Sequence, residues 1–153
     1  MQGTSLKRLS PVELAAWGGF LRAHSALVRE LDRELEAVHG LPLTQYEVLL
    51  RLEAAADDRL RMSELARSVF LSQSGVTRLV DRLEGRGLVV REPCPEDRRV
   101  LYARITEDGR RRLAQARPTH LAGVRALFLR HFDDDELRAL GEAWERVGPS
   151  TPA

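Results

Sequence analysis

The sequence predicts a mainly α-helical fold with a small β-wing, and three observations carry that prediction. Amphipathic segments at 63–69 and 73–86 are separated by only a few residues, so the helices they form must cross steeply. Directly after Gly87 the hydrophobic period changes, giving strand-like runs at 88–90 and 100–105 around a charged loop. Long amphipathic segments at 11–39 and 107–147 flank this unit. Together they describe a winged helix-turn-helix over 44–106, set between N- and C-terminal dimerisation helices in a single domain spanning 1–153.

Residues 1–10 carry no periodic pattern and are expected to fray. Ser10 and Pro11, a cap followed by a first-turn proline, start a helix that Gly40 and Pro42 end near His39. Along it Leu14, Trp17, Leu21, His24, Val28, Leu31, Leu35 and Val38 alternate steps of three and four, the seam of a helix that packs on another. Its length favours a contact between copies over an intrachain core. Thr44 is expected to cap the next helix, whose Tyr46, Val48, Leu49, Leu50 and Leu52 support the helix pair from behind. Residues 57–61 read as a linker with a short third strand.

Ser63 is expected to cap the first helix of the pair, with Glu64 in its first turn, Leu65, Ala66 and Val69 on one face, and a stop near Phe70. Ser72 caps the second, which runs from Gln73 to about Arg86 with Gly87 in the left-handed stop position. Val76, Leu79, Val80 and Leu83 form its buried stripe, while Gln73, Ser74, Thr77, Arg78 and Asp81 face the other way. Short or extended hydrogen-bonding side chains at the N-terminal half are what a recognition helix presents to base edges in a major groove. Gly75 costs roughly 1 kcal/mol against Ala, which implies close approach of another backbone.

In the wing loop Asp97 and Arg99 stand two apart, on one side of an extended chain. A carboxylate there can orient the guanidinium, and a held Arg suits a narrow minor groove. The candidate DNA-contacting residues are Ser72, Gln73, Ser74, Thr77, Arg78, Arg82, Asp97, Arg98 and Arg99. Thr106 caps the following long helix, with Leu113, Leu121, Val124, Leu127 and Phe128 as buried positions and Pro118 expected to kink or divide it. Asp133 to Glu136 start the last helix with negative charge at its positive end, and Leu137, Leu140, Trp144 and Val147 line one face. Gly148 to Ala153 read as a loose tail.

From Pro11 to Val147 the chain resembles the MarR (multiple antibiotic resistance regulator) family of bacterial transcription regulators. The wing of that family carries Asp-x-Arg and, further on, an apolar residue and Thr; here these are Asp97, Arg99, Ile105 and Thr106, followed by Glu-Asp-Gly. Ser-Glu-Leu-Ala at 63–66 and Thr-Arg-Leu-Val-Asp-Arg-Leu-Glu at 77–84 match as well. The resemblance implies that Arg99 is a minor-groove arginine, Asp97 its orienting partner and 73–78 the base-reading surface. It also implies intertwined termini in a homodimer, and a small aromatic or lipophilic effector in a cleft. Trp17, His24 and Tyr46 are the candidate effector-lining residues, each of which also fits ordinary core packing.

The formal charge of +1 conceals an uneven distribution, because residues 61–112 hold 12 basic against 8 acidic side chains. Positive charge thus gathers where phosphate contacts belong. No run approaches the ~20 apolar residues of a membrane span, and the N-terminus lacks the apolar stretch of a signal peptide. A single cysteine excludes an internal disulfide framework and favours a cytoplasmic setting. That residue, Cys94, lies between Pro93 and Pro95 and is expected to be exposed, with Arg98 and Arg99 nearby to favour its thiolate. Peroxide-sensing members of the resembled family place their reactive cysteine near the N-terminus, which argues against a redox role. His24, His39, His120 and His131 are scattered, so no metal or other cofactor is expected. Neither a nucleophile elbow nor a phosphate-cradling glycine loop supports an enzyme. The expected function is a homodimeric, ligand-released repressor on a pseudo-palindromic duplex with half-sites about one DNA turn apart. The alternative is a winged helix that docks a protein without reading DNA.

Overall fold

The computed structural model describes residues 8–69 and 71–147. The order is α1 (Pro11–His39), α2 (Leu43–Ala54), β1 (Arg59–Arg61), α3 (Met62–Ser68), α4 (Gln73–Gly85), β2 (Val89–Pro93), β3 (Leu101–Ile105), α5 (Glu107–Leu127) and α6 (Asp134–Val147). This is the mainly helical fold with a small wing that the sequence predicts. The predicted fraying of residues 1–7, the helix stop at Phe70 and the tail from Gly148 lie outside the described residues.

The caps of α1 are the predicted ones. Ser10 Oγ accepts from the Glu13 N–H while Glu13 Oε2 accepts from the Ser10 N–H at 2.7 Å, and Gly40 closes the helix at φ 58°. Two other predicted caps are wrong. Pro42 holds the cap position of α2, Thr44 is exposed inside its first turn, and the Leu43 N–H donates to Asp32 Oδ1 of α1 at 2.7 Å. The cap of α2 therefore comes from a different helix. Helix α3 begins before Ser63, with Arg61 at the cap position and its N–H donating to Glu64 Oε2 at 3.1 Å.

Pro118 does not divide α5, which runs unbroken through it. The carbonyl deprived of a partner belongs to Ala114, an exposed residue, so water can replace the missing bond. Leu121 is exposed rather than buried, and α5 reaches the core through Leu113 and Ala116. Asp133 and Glu136 form a reciprocal box at the start of α6, with both bonds at 2.9 Å.

The sheet has the order β1-β3-β2, antiparallel throughout, with Val89 opposite Ile105 and Leu60 opposite Ala103. Asp57 and Asp58, at φ 55° and 57°, turn the chain into β1 through the left-handed region that Asp tolerates better than most residues. Arg104 of β3 fastens this turn by donating to the Asp57 carbonyl at 2.5 Å, and Arg110 pairs with Asp58.

The core lies behind the helix pair. It joins Leu49 and Leu52 of α2, Leu65 of α3, Val76, Val80 and Leu83 of α4, Ala103 and Ile105 of the wing and Leu113 of α5. From the long seam of α1 only Leu35 is fully buried, whereas Leu14, Trp17, Leu21, Val28 and Val38 are exposed. Trp144 and Val147 of α6 are exposed too. A mostly apolar seam left in water is unfavourable for one chain on its own.

Candidate nucleic-acid interface

Helix α4 presents its polar face outward because its apolar stripe is fully used, with Val76, Leu79, Val80 and Leu83 all buried. Ser72 Oγ accepts the Gly75 N–H at 3.1 Å and lies 3.2 Å from Ser74 Oγ, so the cap hydroxyl is largely engaged in starting the helix. Thr77 Oγ1 donates to the Gln73 carbonyl at 2.9 Å, which leaves its lone pairs to accept. Gln73, Ser74, Thr77, Arg78 and Arg82 are exposed. What approaches Gly75 is the turn just before its own helix: a Cβ there would meet Ser72 Oγ at 3.2 Å and Leu71 Cβ at 3.6 Å. Among the described residues no separate backbone passes over it within that reach, contrary to the sequence expectation.

At the wing tip Asp97 grips Arg99 through both carboxylate oxygens. Arg99 Nε donates to Oδ1 at 3.1 Å, Nη2 to Oδ2 at 3.1 Å, and the Arg99 backbone N–H to Oδ1 at 3.0 Å. These bonds hold the Asp97 carboxyl below its ordinary pKa. Arg99 itself remains 91% exposed, a cation with a fixed direction and open surroundings. Arg98 is exposed beside it.

Between α4 and the wing lies a cleft of about 340 Å³ lined by Arg61, Ser63, Gln73, Thr77, Arg91 and Arg99. Arg78 and Arg82 line a second hollow with Thr44 and Leu71. The proposed contact residues thus divide between a wing side, with Gln73, Thr77 and Arg99, and a flank carrying Arg78 and Arg82.

Arg91 of β2 fixes the angle between helix and wing. It pairs with Asp81 at 2.7 Å and Glu84 at 2.6 Å, donates to the Thr77 carbonyl at 3.1 Å, and its side chain is only 18% exposed. Asp81, grouped by sequence with the polar reading face, is therefore committed to the wing. Arg86 ties the other end of α4 to the scaffold, donating to Gln45 Oε1 at 2.7 Å and to the Gly40 carbonyl at 2.9 Å. Helical periodicity does not reveal either arginine, since their partners lie on other elements.

Cys94 is buried, contrary to the expectation of exposure. Its backbone N–H donates to the Val100 carbonyl at 2.8 Å and its thiol to Glu96 Oε2 at 2.8 Å, so the loop folds over it.

The candidate effector residues separate. Trp17 and His24 both flank Phe20, at ring-centroid distances of 6.0 Å, and Phe20 lies 5.3 Å from Trp144. His24 and Phe20 also line an open apolar groove of about 540 Å³ with Leu27, Phe128 and Leu140. Tyr46 is elsewhere, buried with its ring 4.5 Å from that of His120. The His120 Nδ1 atom is buried without a partner among the described residues, and burial lowers its pKa. Among the described residues no group of His, Cys, Asp or Glu is placed to hold a metal ion, and no helix is long and apolar enough to cross a membrane.

Residues 39–100 match the model of the MarR family. The HTH-type transcriptional regulator MhqR of Bacillus subtilis (strain 168) is 30% identical over 127 residues, covering 83% of this chain and 85% of MhqR. Sco3205, a MarR family transcriptional regulator from Streptomyces coelicolor solved in complex with DNA, aligns with a TM-score of 0.89 at 32% identity, over 97% of this chain and 95% of its own. CouR from Rhodococcus jostii RHA1, solved bound to p-coumaroyl-CoA, aligns with a TM-score of 0.78 at 27% identity, over 92% and 97% of the two chains. By fold, wing motif and these matches, the chain belongs to the MarR family of transcriptional regulators.

Proposed function

We propose that this protein is a sequence-specific, homodimeric DNA-binding repressor of the cytoplasm, without enzymatic activity, whose DNA affinity falls when a small aromatic or lipophilic ligand binds. The observation that carries the reading is the Asp97–Arg99 grip, which spends carboxylate charge to aim a guanidinium that no other described residue pairs with. In this reading Gln73, Ser74, Thr77 and Arg78 meet base edges or phosphates from α4, Ser72 and Arg82 flank them, and Arg99 enters the adjacent minor groove with Arg98 beside it. The exposed seam of α1 and the outer face of α6 supply the homodimer contact, so 11–39 and 107–147 form the dimerisation part of a single domain and 44–106 the reading part. Two-fold symmetry then calls for a pseudo-palindromic site with half-sites about one turn apart. The DNA complex of Sco3205 and the ligand complex of CouR support the two binding activities by likeness. The groove lined by Phe20 and His24, with Trp17 next to it against Phe20, is the more open candidate for the effector, and Tyr46 the more enclosed one. A ligand acts here by favouring a dimer whose two α4 helices are wrongly spaced.

The test is selection of bound duplexes from fragmented bacterial DNA, followed by fluorescence anisotropy of the enriched site over a range of salt concentrations. Enrichment of a pseudo-palindrome with steeply salt-dependent binding is the expected result. A folded dimer that enriches nothing would instead support a winged helix that docks a protein.

A further inference from the structure

The cleft between α4 and the wing contains a cation that the wing motif does not include. Arg61 closes β1, and the register of the sheet sets it opposite Tyr102 of β3. Its Nε donates to the Tyr102 hydroxyl oxygen at 3.2 Å, and its guanidinium carbon lies 5.9 Å from the ring centroid. That bond favours the charged guanidinium and raises its pKa. Arg59 packs closer to the same ring, at 4.8 Å, but Glu92 takes up Arg59 at 3.7 Å and Arg104 at 2.8 Å. Arg61 is exposed and has no carboxylate within ion-pair distance among the described residues. Anchored through one nitrogen, it keeps the donors of both terminal nitrogens unspent.

The position of Arg61 indicates the acceptor. If α4 occupies a major groove and Arg99 the neighbouring minor groove, the phosphate ridge dividing those grooves must pass between them. The space between them is the cleft that Arg61 lines together with Gln73, Thr77 and Arg99. A planar fork of donors suits the oxygens of a phosphodiester. We propose that Arg61 is a DNA-backbone contact that grips this ridge, with Tyr102 as its positioning residue. The proposal rests on the duplex-binding function above.

Phosphate contacts are independent of sequence, so the probe is a fluorescein-labelled duplex of mixed sequence, titrated with the full chain at several salt concentrations. Arg61→Ala leaves the start of α3 intact, because the cap there uses the backbone N–H of residue 61. It should weaken binding about tenfold or more, as expected for a lost charge-assisted hydrogen bond. The slope of log affinity against log salt should become shallower by about 0.9 per protomer. Arg61→Lys should restore the slope, since it restores the charge. Tyr102→Phe should weaken binding by about threefold with the slope unchanged, the signature of a residue that orients a cation without being one. Wild-type affinity and slope in Arg61→Ala, beside a clear loss of both in Arg99→Ala, would overturn this proposal and leave the DNA-binding function standing. A wild-type chain that binds no duplex would overturn both.

Discussion

Gly109→Ala should destabilise the protein and Gly123→Ala should not do so to the same degree, although both sites lie in α5. Helix propensity alone favours each alanine by about 1 kcal/mol. At Gly109 the added methyl would lie 2.2 Å from the Leu88 carbonyl oxygen and 2.8 Å from Ile105 Cγ1. That carbonyl already accepts the Thr106 N–H at 3.1 Å, while the Thr106 hydroxyl donates to the Gly87 carbonyl at 2.7 Å and accepts the Gly109 N–H at 3.0 Å. The clash is therefore with backbone fixed by a hydrogen-bonded junction. A carbon and a carbonyl oxygen settle near 3.3 Å, so a gap of about 1 Å must open between α5 and the chain at Leu88, just before β2. Over-packing of this kind costs about 1–3 kcal/mol, and a weakened junction bond adds about 1 kcal/mol. After the propensity gain, the expected net loss is about 2 kcal/mol. At Gly123 the methyl meets Leu31 Cδ2 at 2.7 Å and Glu34 Oε2 at 3.1 Å, ends of side chains that can rotate. There the propensity gain should offset most of the cost. Urea denaturation followed by far-ultraviolet circular dichroism measures both, provided that the variants share the wild-type m-value. A Gly109→Ala protein as stable as the Gly123→Ala protein would refute the reasoning.

Other outcomes follow from the same geometry. Asp97→Ala removes a negative charge from the interface, yet it should weaken binding to a selected site by about tenfold, because Arg99 loses its aim; tighter binding would show that charge alone matters. Arg91→Met should lower DNA affinity without changing the salt slope and cost about 1 kcal/mol of stability, since both carboxylate partners are partly solvated; a shallower slope would instead make Arg91 a direct contact. Leu21→Glu, in the exposed part of the α1 seam, should shift sedimentation toward monomer while leaving the helical circular dichroism signal unchanged. Burial holds His120 below its ordinary pKa of 6.5. Just below 6.5 the unfolded chain gains a proton that the folded chain resists, so stability should fall as pH drops through that window. His120→Gln should flatten this dependence, and an unchanged slope would remove His120 as its source.

Elements set by local chemistry are legible in the sequence itself. The Ser10 box, the Gly40 and Gly87 stops, the Ser72 and Thr106 caps and the change of period after Gly87 each lie within a few residues of what they determine. The Asp97–Arg99 pair is legible for the same reason, being two residues apart. What escapes a reading of the sequence depends on distant partners. Thr44 has a capping side chain, but Asp32 of α1 already occupies the donor at the start of α2. Cys94 has polar and proline neighbours in sequence, yet the loop folds over it. Arg61 and Arg91 look like any surface arginines until β3 brings up Tyr102 and α4 brings up Asp81 and Glu84. Pro118 shows the converse, a strong local breaker tolerated because the deprived carbonyl belongs to an exposed residue.

The attachment of Arg86 to Gln45 and the Gly40 carbonyl would make the corner between α1 and α2 a fulcrum if α1 were displaced. Helix α1 has 29 residues, an arm of about 44 Å at ~1.5 Å per residue, and α4 has 13, an arm of about 20 Å. Rotation by about 5° at the fulcrum moves the far end of the long arm by about 4 Å and the Ser72 end of the short arm by nearly 2 Å. Base-edge hydrogen bonds tolerate only a few tenths of an ångström. Such a rotation would be reduced by about half between the two tips, and at the Ser72 end it would still exceed that tolerance several-fold.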